Sequence, residues 1–595
     1  MVRRFPALAF NTTLLAMSVA CAAVFLTALD QTVVVTALPQ IVLDLQVPFN
    51  QLDRAAWIVS GYLLGYAIMM PLMGQVSDLY GRRRVLILCL GIFAFGSLLC
   101  GLAPVIGNSD VGTQLVSPLN MLGLNTDSPG LLYLVAARFV QAAGGGAVVP
   151  VAMAIAGDSY NWQRRAFALG LIGTVAEAGG VLGPLYGALI VQYSGWQMIF
   201  YLNLPLVAIL LVLIWRYVPY SVQSSPYSKS SQGESSLHDQ SSQGEGKPRP
   251  YYIRERRFAR LISIQTSIDL VGAFLFGTSL TCLSLGLSQE AAQITPTTNA
   301  TSTIQNNPWL LIASLLLFVL FLVYERAQER LARSPLILLS LFQRAMFSAT
   351  SVLSFLVGAT LIIAMADIPL FMATVLNHST LDSGLALLRL TAMIPVGAIL
   401  GGWLCTKLTC RWTAILGLLP MILGFWLMHL WPANVGWTEI TIDTLITGLG
   451  FGLVIAPVST TALNATSNEQ MGMAASTITV LRVIGMILGL AALTSWGLGR
   501  LRALASHFRP PAHTQFGSAA YNKAYESFLL SIAHTIYTDI FLVAGILCVI
   551  AVLPAVLLQG RRHTHLSGQG NERENSEAHD TSSSHEQHSP SLYNT

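Results

Sequence analysis

Long apolar runs divided by short polar stretches set the pattern of this 595-residue chain. Fourteen runs are long enough to cross a hydrocarbon core of roughly 30 Å as helices, which takes about 18 or more largely apolar residues. They fall near 13–37, 55–75, 84–104, 131–156, 166–191, 197–217, 268–288, 308–325, 345–376, 383–407, 411–431, 440–464, 472–498 and 534–558. The pattern predicts an all-α polytopic membrane protein. The first run follows MVRRF, but it is too long for the core of a cleaved signal and carries Asp30 near its end. It is expected to be retained.

Two stretches lack the apolar content to order themselves. Residues 221–250 are rich in Ser, Gln and Gly, as is the tail after Arg562. The expected division is an N-terminal six-helix bundle over 1–217 and a disordered cytoplasmic linker over 218–264. Two further spans with an amphipathic loop follow over 265–344. A C-terminal six-helix bundle over 345–560 and a disordered cytoplasmic tail over 561–595 complete it.

Composition agrees: 53% of residues are hydrophobic and 10% charged, against about 25% charged in a soluble domain. The net charge of +4 matters less than its placement. With the N-terminus in the cytoplasm, Arg82, Arg83, Arg84, Arg164, Arg165, Arg326, Arg330, Arg333, Arg344, Lys407, Arg411, Arg561, Arg562 and the run RERRFAR (254–260) all fall inside. The outer loops 104–130, 192–197, 289–307 and 432–439 hold no lysine or arginine. This bias places both termini in the cytoplasm, and a plasma (inner) membrane is the expected location. Segment 499–533 breaks it, with Arg500, Arg502, Arg509 and Lys523 outside.

Several chemistries are missing from the sequence. The seven cysteines form no CxxC pair, so no metal site and no disulfide framework is expected. There is no GxxxxGK[ST] phosphate loop, no nucleotide or other cofactor signature and no nucleic-acid-binding pattern. The eleven histidines lie mostly in loops and the tail, and no nucleophile–base set appears. A transporter driven by an ion gradient fits better than an enzyme or a non-transporting receptor. Carboxylates inside the spans favour the proton as the driving ion, with sodium the alternative. No other chain is required, so a monomer is expected.

The segment GQVSDLYGRRRV (74–85) lies between the second and third spans. Gly74 and Gly81 suit a close approach and a tight turn. Asp78 suits a partner arginine or a helix N-terminus, and Arg82 anchors the turn. At this place in a many-span chain the segment resembles the loop signature of the major facilitator superfamily. A degenerate copy, GGWLCTKLTCRW (401–412), sits one repeat later, with Thr406 where Asp78 would fall. Three further segments are similar to the fourteen-spanner drug:proton antiporters: LTALDQTVVVTALPQI (26–41), RFVQAAGGGAVVPVAMAI (138–155) and GGVLGPLYGAL (179–189). In that family two extra helices join the six-helix halves. The glycine motif of span 5 maps to Gly179, Gly183, Pro184 and Gly187. Within it, FNQLDRAAWIVSGYLLGYAIMMPL (49–72), LGPLYG (182–187), MADIPLF (365–371), GLGFGLVIAPVS (448–459) and RVIGMILGLAALTSWGL (482–498) are similar to mycobacterial triacylglyceride exporters that work with a lipid-binding lipoprotein. The resemblance implies a proton-coupled exporter of hydrophobic or amphiphilic molecules of multidrug-efflux type. Its alternative is a lipid exporter with a lipoprotein partner.

Ionisable residues inside a bilayer cost at least roughly 2.5–3.5 kcal/mol each, so each calls for a purpose. Glu177 lies 12 residues beyond Arg165, about 18 Å deep, and Arg482 lies 10 residues beyond Gly472, about 15 Å deep. Their spans hold matching places in the two halves, so the two are expected to pair across a central cavity. The two form a switch or a static bridge, or do not touch. Gly179, Gly183, Gly485 and Gly489 suit close helix approach there. Asp30 and Arg138 share a depth in the outer half. The antiporter resemblance implies that Asp30 couples to protons and Arg138 tunes it, whereas the residues alone also allow Asp30 as an outer helix cap. Asp367 is either the second-half echo of Asp30 or an interfacial carboxylate. Arg389, Glu439 and Asp443 read as interfacial, and Asp269 as structural near the inner face.

Overall fold

The computed structural model describes residues 7–47, 55–106, 109, 114, 129–160, 162–218, 268–287, 308–331, 333, 335–466, 471–507 and 519–558. The expected linker and tail lie outside these, apart from Val218. Fourteen helices in the described residues are long and apolar enough to cross a membrane. They are α1 (Ala7–Asp44), α2 (Trp57–Tyr80), α3 (Arg82–Gly101), α4 (Pro129–Ser159), α5 (Trp162–Ser194), α6 (Gln197–Tyr217), α7 (Leu270–Leu287), α8 (Pro308–Arg330), α9 (Ala345–Thr374), α10 (Thr380–Lys407), α11 (Cys410–His429), α12 (Trp437–Asn464), α13 (Met471–Ala505) and α14 (Ala519–Val556).

Small residues decide how the helices pack within each half. A Cβ on Gly179 would lie 2.6 Å from the Phe25 carbonyl, and one on Gly183 would lie 2.7 Å from the Leu29 carbonyl. Gly187 meets Val33 in the same way. These glycines therefore press α5 onto α1 instead of onto the opposite half. Gly485 and Gly489 do the same for α13 against Phe355 and Ala359 of α9. Pro184 has no N–H to offer the Gly180 carbonyl one turn earlier. Thr32 of α1 fills that gap, its hydroxyl donating to Gly180 O at 2.9 Å, and Thr36 donates to Pro184 O at 3.1 Å. Gly183→Ala is expected to cost about 1–3 kcal/mol by overpacking. Thermal unfolding of the purified protein checks this, and an unchanged transition would contradict the packing.

The halves meet where α2 packs on α13, α5 on α10, and α1 on α9 and α10. The inserted α7 packs on α8, α2 and α13, and Gly277 of α7 sits against Ile68 of α2. Along α8, Trp309, Leu315, Leu316, Leu320 and Val323 are more than half exposed, a lipid-facing surface. The inserted pair thus lies at the edge of the seam between the halves.

The turn between α2 and α3 defines one end of the molecule, here called the motif face. Gly81 has φ +91°, a backbone that side chains resist. Gly74 needs no such allowance, because a Cβ there would meet only Pro150 at an ordinary 3.8 Å. Arg82 donates through Nε to Asp158 at 3.2 Å and through Nη1 to Ser77 at 2.7 Å, and Arg83 reaches the Trp215 carbonyl. The turn is thereby tied to the ends of α4 and α6. The side chain of Asp78 lies outside the described residues. In the degenerate copy the turn passes through Leu408 at φ −95°, so glycine is not needed, and Thr409 caps α11.

The helices α13 and α14 have 35 and 38 residues. At 1.5 Å per residue each spans more than 50 Å, against a core of about 30 Å. Their surplus lies at the end opposite the motif face, where Arg500 pairs with Asp539 at 3.7 Å. The outer Arg500 and Lys523 thus sit on helical extensions and not in a loop at the membrane edge.

Candidate functional site

A cavity of about 490 Å³ opens between the halves, with walls from α1, α2, α4, α5, α9, α10, α12 and α13 and none from α7 or α8. The wall is mostly apolar, with Gln31, Tyr66, Glu177, Thr391, Ser459 and Arg482 as its main polar members. Val149 and Met153 of α4, Ile455 to Ala462 of α12 and Ala475 of α13 place it in the half of the molecule nearer the motif face. Beyond it α5 and α10 touch: Thr391 donates to Val181 O at 3.0 Å, and a Cβ on Gly384 would collide with Ala188.

Glu177 and Arg482 face each other in this wall. Arg482 Nη2 stands 2.7 Å from Glu177 Oε1, with the side chains 22% and 24% exposed. Each half supplies one charge. The pair is reachable from the cavity, so water screens part of its attraction.

Asp30 differs in kind. It lies mid-helix in α1, not at a helix end, and is 1% exposed, which rules out the capping role. It points away from the cavity into the first-half bundle. Arg138 Nη1 donates to Asp30 Oδ2 at 2.8 Å. Gln141 Nε2 and Asn203 Nδ2 donate to Oδ1 at 3.0 and 2.8 Å. Ser97 Oγ accepts from both amides. The Arg138 guanidinium stacks 4.0 Å over the Tyr62 ring and also donates to Gln141 Oε1 at 2.6 Å. Five helices thus contribute to one charged node, and the carboxylate accepts a charge-assisted bond plus two amide bonds. Gln141 is readable as the i+3 neighbour of Arg138 in RFVQ. Asn203 is the amide in the apolar run IFYLNLPLVAIL. Ser97 and Tyr62 carry no sequence signal.

Asp367 is buried at 2% in α9 with Oδ2 unpartnered. No basic side chain pairs with it among the described residues. The matching glycine contacts, Phe25 and Leu29 in one half against Phe355 and Ala359 in the other, put the counterpart of Asp30 near Leu356 or Thr360. Asp367 lies two to three turns beyond that position. Asp443 is buried at 7% and accepts from Trp431 Nε1 at 2.7 Å, which makes it a core anchor of α12 instead of an interfacial group. Arg389 stacks 4.8 Å over Trp437.

The family model for the Major Facilitator Superfamily matches residues 20–490. A probable triacylglyceride transporter of Mycobacterium leprae is 30% identical over 568 residues, covering 92% of this chain and 96% of that protein. The triacylglyceride transporter of Mycobacterium tuberculosis strain H37Rv is 31% identical over 568 residues, covering 92% and 95%. A solved bacterial homologue of the human lysosomal transporter Spinster, inward-facing and occupied, aligns with a TM-score of 0.53 at 15% identity, covering 91% of this chain and 96% of that one. That likeness shows the fold alone. Two six-helix halves around a shared cavity, joined by an inserted pair, together with a family match over most of the sequence, make this chain a multi-pass membrane protein that belongs to the Major Facilitator Superfamily of transporters.

Proposed function

We propose that this chain exports a hydrophobic lipid of the triacylglyceride class by alternating access, in exchange for protons. The observation that carries the reading is the Glu177–Arg482 pair, one charge from each half, set in an otherwise apolar cavity wall between the halves. Such a pair gives the halves a contact that water, a proton or a polar headgroup can break, while the surrounding wall suits a greasy cargo. The names of the mycobacterial relatives support a lipid over the multidrug alternative. Lysine and arginine placement supports a cytoplasmic motif face, so the described state is open inward, with both termini in the cytoplasm of a plasma (inner) membrane. Asp30 and Glu177 are the proton-accepting groups of this scheme, Arg138 and Arg482 their charge partners. The protein acts as a monomer, catalyses no covalent step, and hands its cargo to a lipid-binding lipoprotein outside.

A cavity of about 490 Å³ is drug-sized. A lipid with several long acyl chains exceeds it, so the chains must run between helices toward the bilayer. A smaller amphiphile would fit whole, and this favours the multidrug alternative as the second reading. Lipid analysis of cells lacking the protein separates the two. Retention of triacylglycerides, reversed by the wild-type chain, is the expected outcome. Unchanged lipids with gained sensitivity to amphiphilic drugs would favour the second reading.

A further inference from the structure

Two carboxyl groups meet at the motif-face end of the inserted pair, away from the cavity. Asp269 stands one residue before α7, and Glu325 lies in the last turns of α8. They are 5% and 0% exposed. Each spends one oxygen on backbone. Asp269 Oδ1 accepts from Gly272 N at 2.7 Å, and Glu325 Oε2 accepts from Leu336 N at 3.0 Å and Ile337 N at 3.4 Å. The other two oxygens, Asp269 Oδ2 and Glu325 Oε1, are buried without a donor. Both converge on one spot, since a Cβ on Gly272 would lie 2.5 Å from each.

Two acceptors that face each other out of water repel when both are ionised, and each leaves a buried lone pair unsatisfied. One proton between them removes both costs. A metal ion does not fit as well: hard cations take six or more oxygens, and no group of three or more His, Cys, Asp or Glu gathers among the described residues. The other groups facing the pair are few. On α8, Tyr324 takes a bond from Gln328, and its own hydroxyl stands beside the Asp269 carboxyl as the one neighbouring side-chain O–H among the described residues that could donate to it, while Glu329 accepts from Ser340 N at 3.2 Å. On α2 the neighbour is the uncharged Gln75, which accepts from Asp269 N at 3.1 Å and donates to Pro335 O at 2.9 Å. On α13, Arg482 is engaged with Glu177, and Arg500 lies at the opposite end of the helix, paired with Asp539. Gln75 belongs to the 74–85 loop segment, so this node joins α2, the start of α7, the end of α8 and the lead into α9.

We propose that Asp269 and Glu325 hold a single proton between Oδ2 and Oε1, and that this proton latches the inserted helix pair to the motif-face end of α2. When the proton leaves as pH rises, two carboxylates face each other and the latch opens. This site does not depend on the cargo or the transport direction proposed above.

Hydrogen exchange of the full-length protein in lipid nanodiscs, from mildly acidic to mildly alkaline pH, tests it without any transport assay. Protection at 270–275 and 336–341, corrected for intrinsic exchange, is expected to fall on the order of tenfold with rising pH, equal to about 1.4 kcal/mol. In E325Q the amide donates permanently to Asp269, and protection is expected to stay high and flat. D269N, donating the other way, should behave alike and serves if E325Q does not fold. The same pH profile in wild type and variants would overturn the proposal. So would lower protection at every pH after alanine replaces the arginines of 254–260, because a basic side chain would then hold the pair.

Discussion

Asp30→Asn is expected to abolish gradient-driven export, with the protein still in the membrane but less stable by about 3–5 kcal/mol. The carboxylate accepts three side-chain bonds, from Arg138, Gln141 and Asn203. An amide offers one acceptor oxygen and turns an N–H toward the remaining donors. It also strands the Arg138 charge in a fully buried site. Loss of export alone would therefore not separate coupling from structure. The companion variant Asp30→Asn with Arg138→Gln removes both charges, which is often nearly neutral in stability. It is expected to regain most of the stability and none of the export. Thermal unfolding and export by reconstituted protein check the two halves of this statement. Export restored along with stability would make the node a structural bridge only.

Glu177→Gln and Arg482→Ala are each expected to impair export and to change how the cavity is reached. Both side chains are about a quarter exposed, so screening reduces the loss of stability to about 1–3 kcal/mol, below that of a fully buried pair. The larger effect falls on the conformational balance. If the pair ties the halves together in one state only, losing even about 1.4 kcal/mol of that tie shifts the ratio of states tenfold. A cysteine on the cavity wall at the exposed Ser459 reports the shift through its labelling rate in each single variant. The double variant is expected to show a coupling of about 0.5–3 kcal/mol relative to the sum of the singles. Strictly additive stabilities would contradict the contact. Coupled stabilities with unchanged labelling and export would mean a static bridge.

Apolar run length yields fourteen spans, because every backbone polar group in a bilayer must be satisfied within a helix, and the two halves are legible from the loop segment 74–85 and its degenerate copy 401–412. The ends of α13 and α14 escape that logic. Polar residues such as those of NKAYES break the apolar window while the helix continues beyond the hydrocarbon. Depth counting matches Glu177 with Arg482, since rise per residue is fixed and both helices enter from the same face. It does not tell which face of a helix a side chain uses. For that reason the glycines of α5 read as joining the halves, whereas they pack α5 on its own half. Asp367 looks like an echo of Asp30 because each stands toward the outer end of the first span of its half, although helix register separates them by two to three turns. The carboxyl of Glu325 is hidden in YERAQER, a run that reads as a solvated helix end and is closed over by the backbone of 336–337.

Proton-driven lipid export is tested most directly in proteoliposomes that hold the purified chain, a fluorescent triacylglyceride and an imposed pH gradient. The account predicts lipid movement that follows the gradient, reverses when the gradient is reversed, and stops in Asp30→Asn/Arg138→Gln while that protein remains folded. Lipid movement at the same rate with no gradient, or in the double variant, would contradict it.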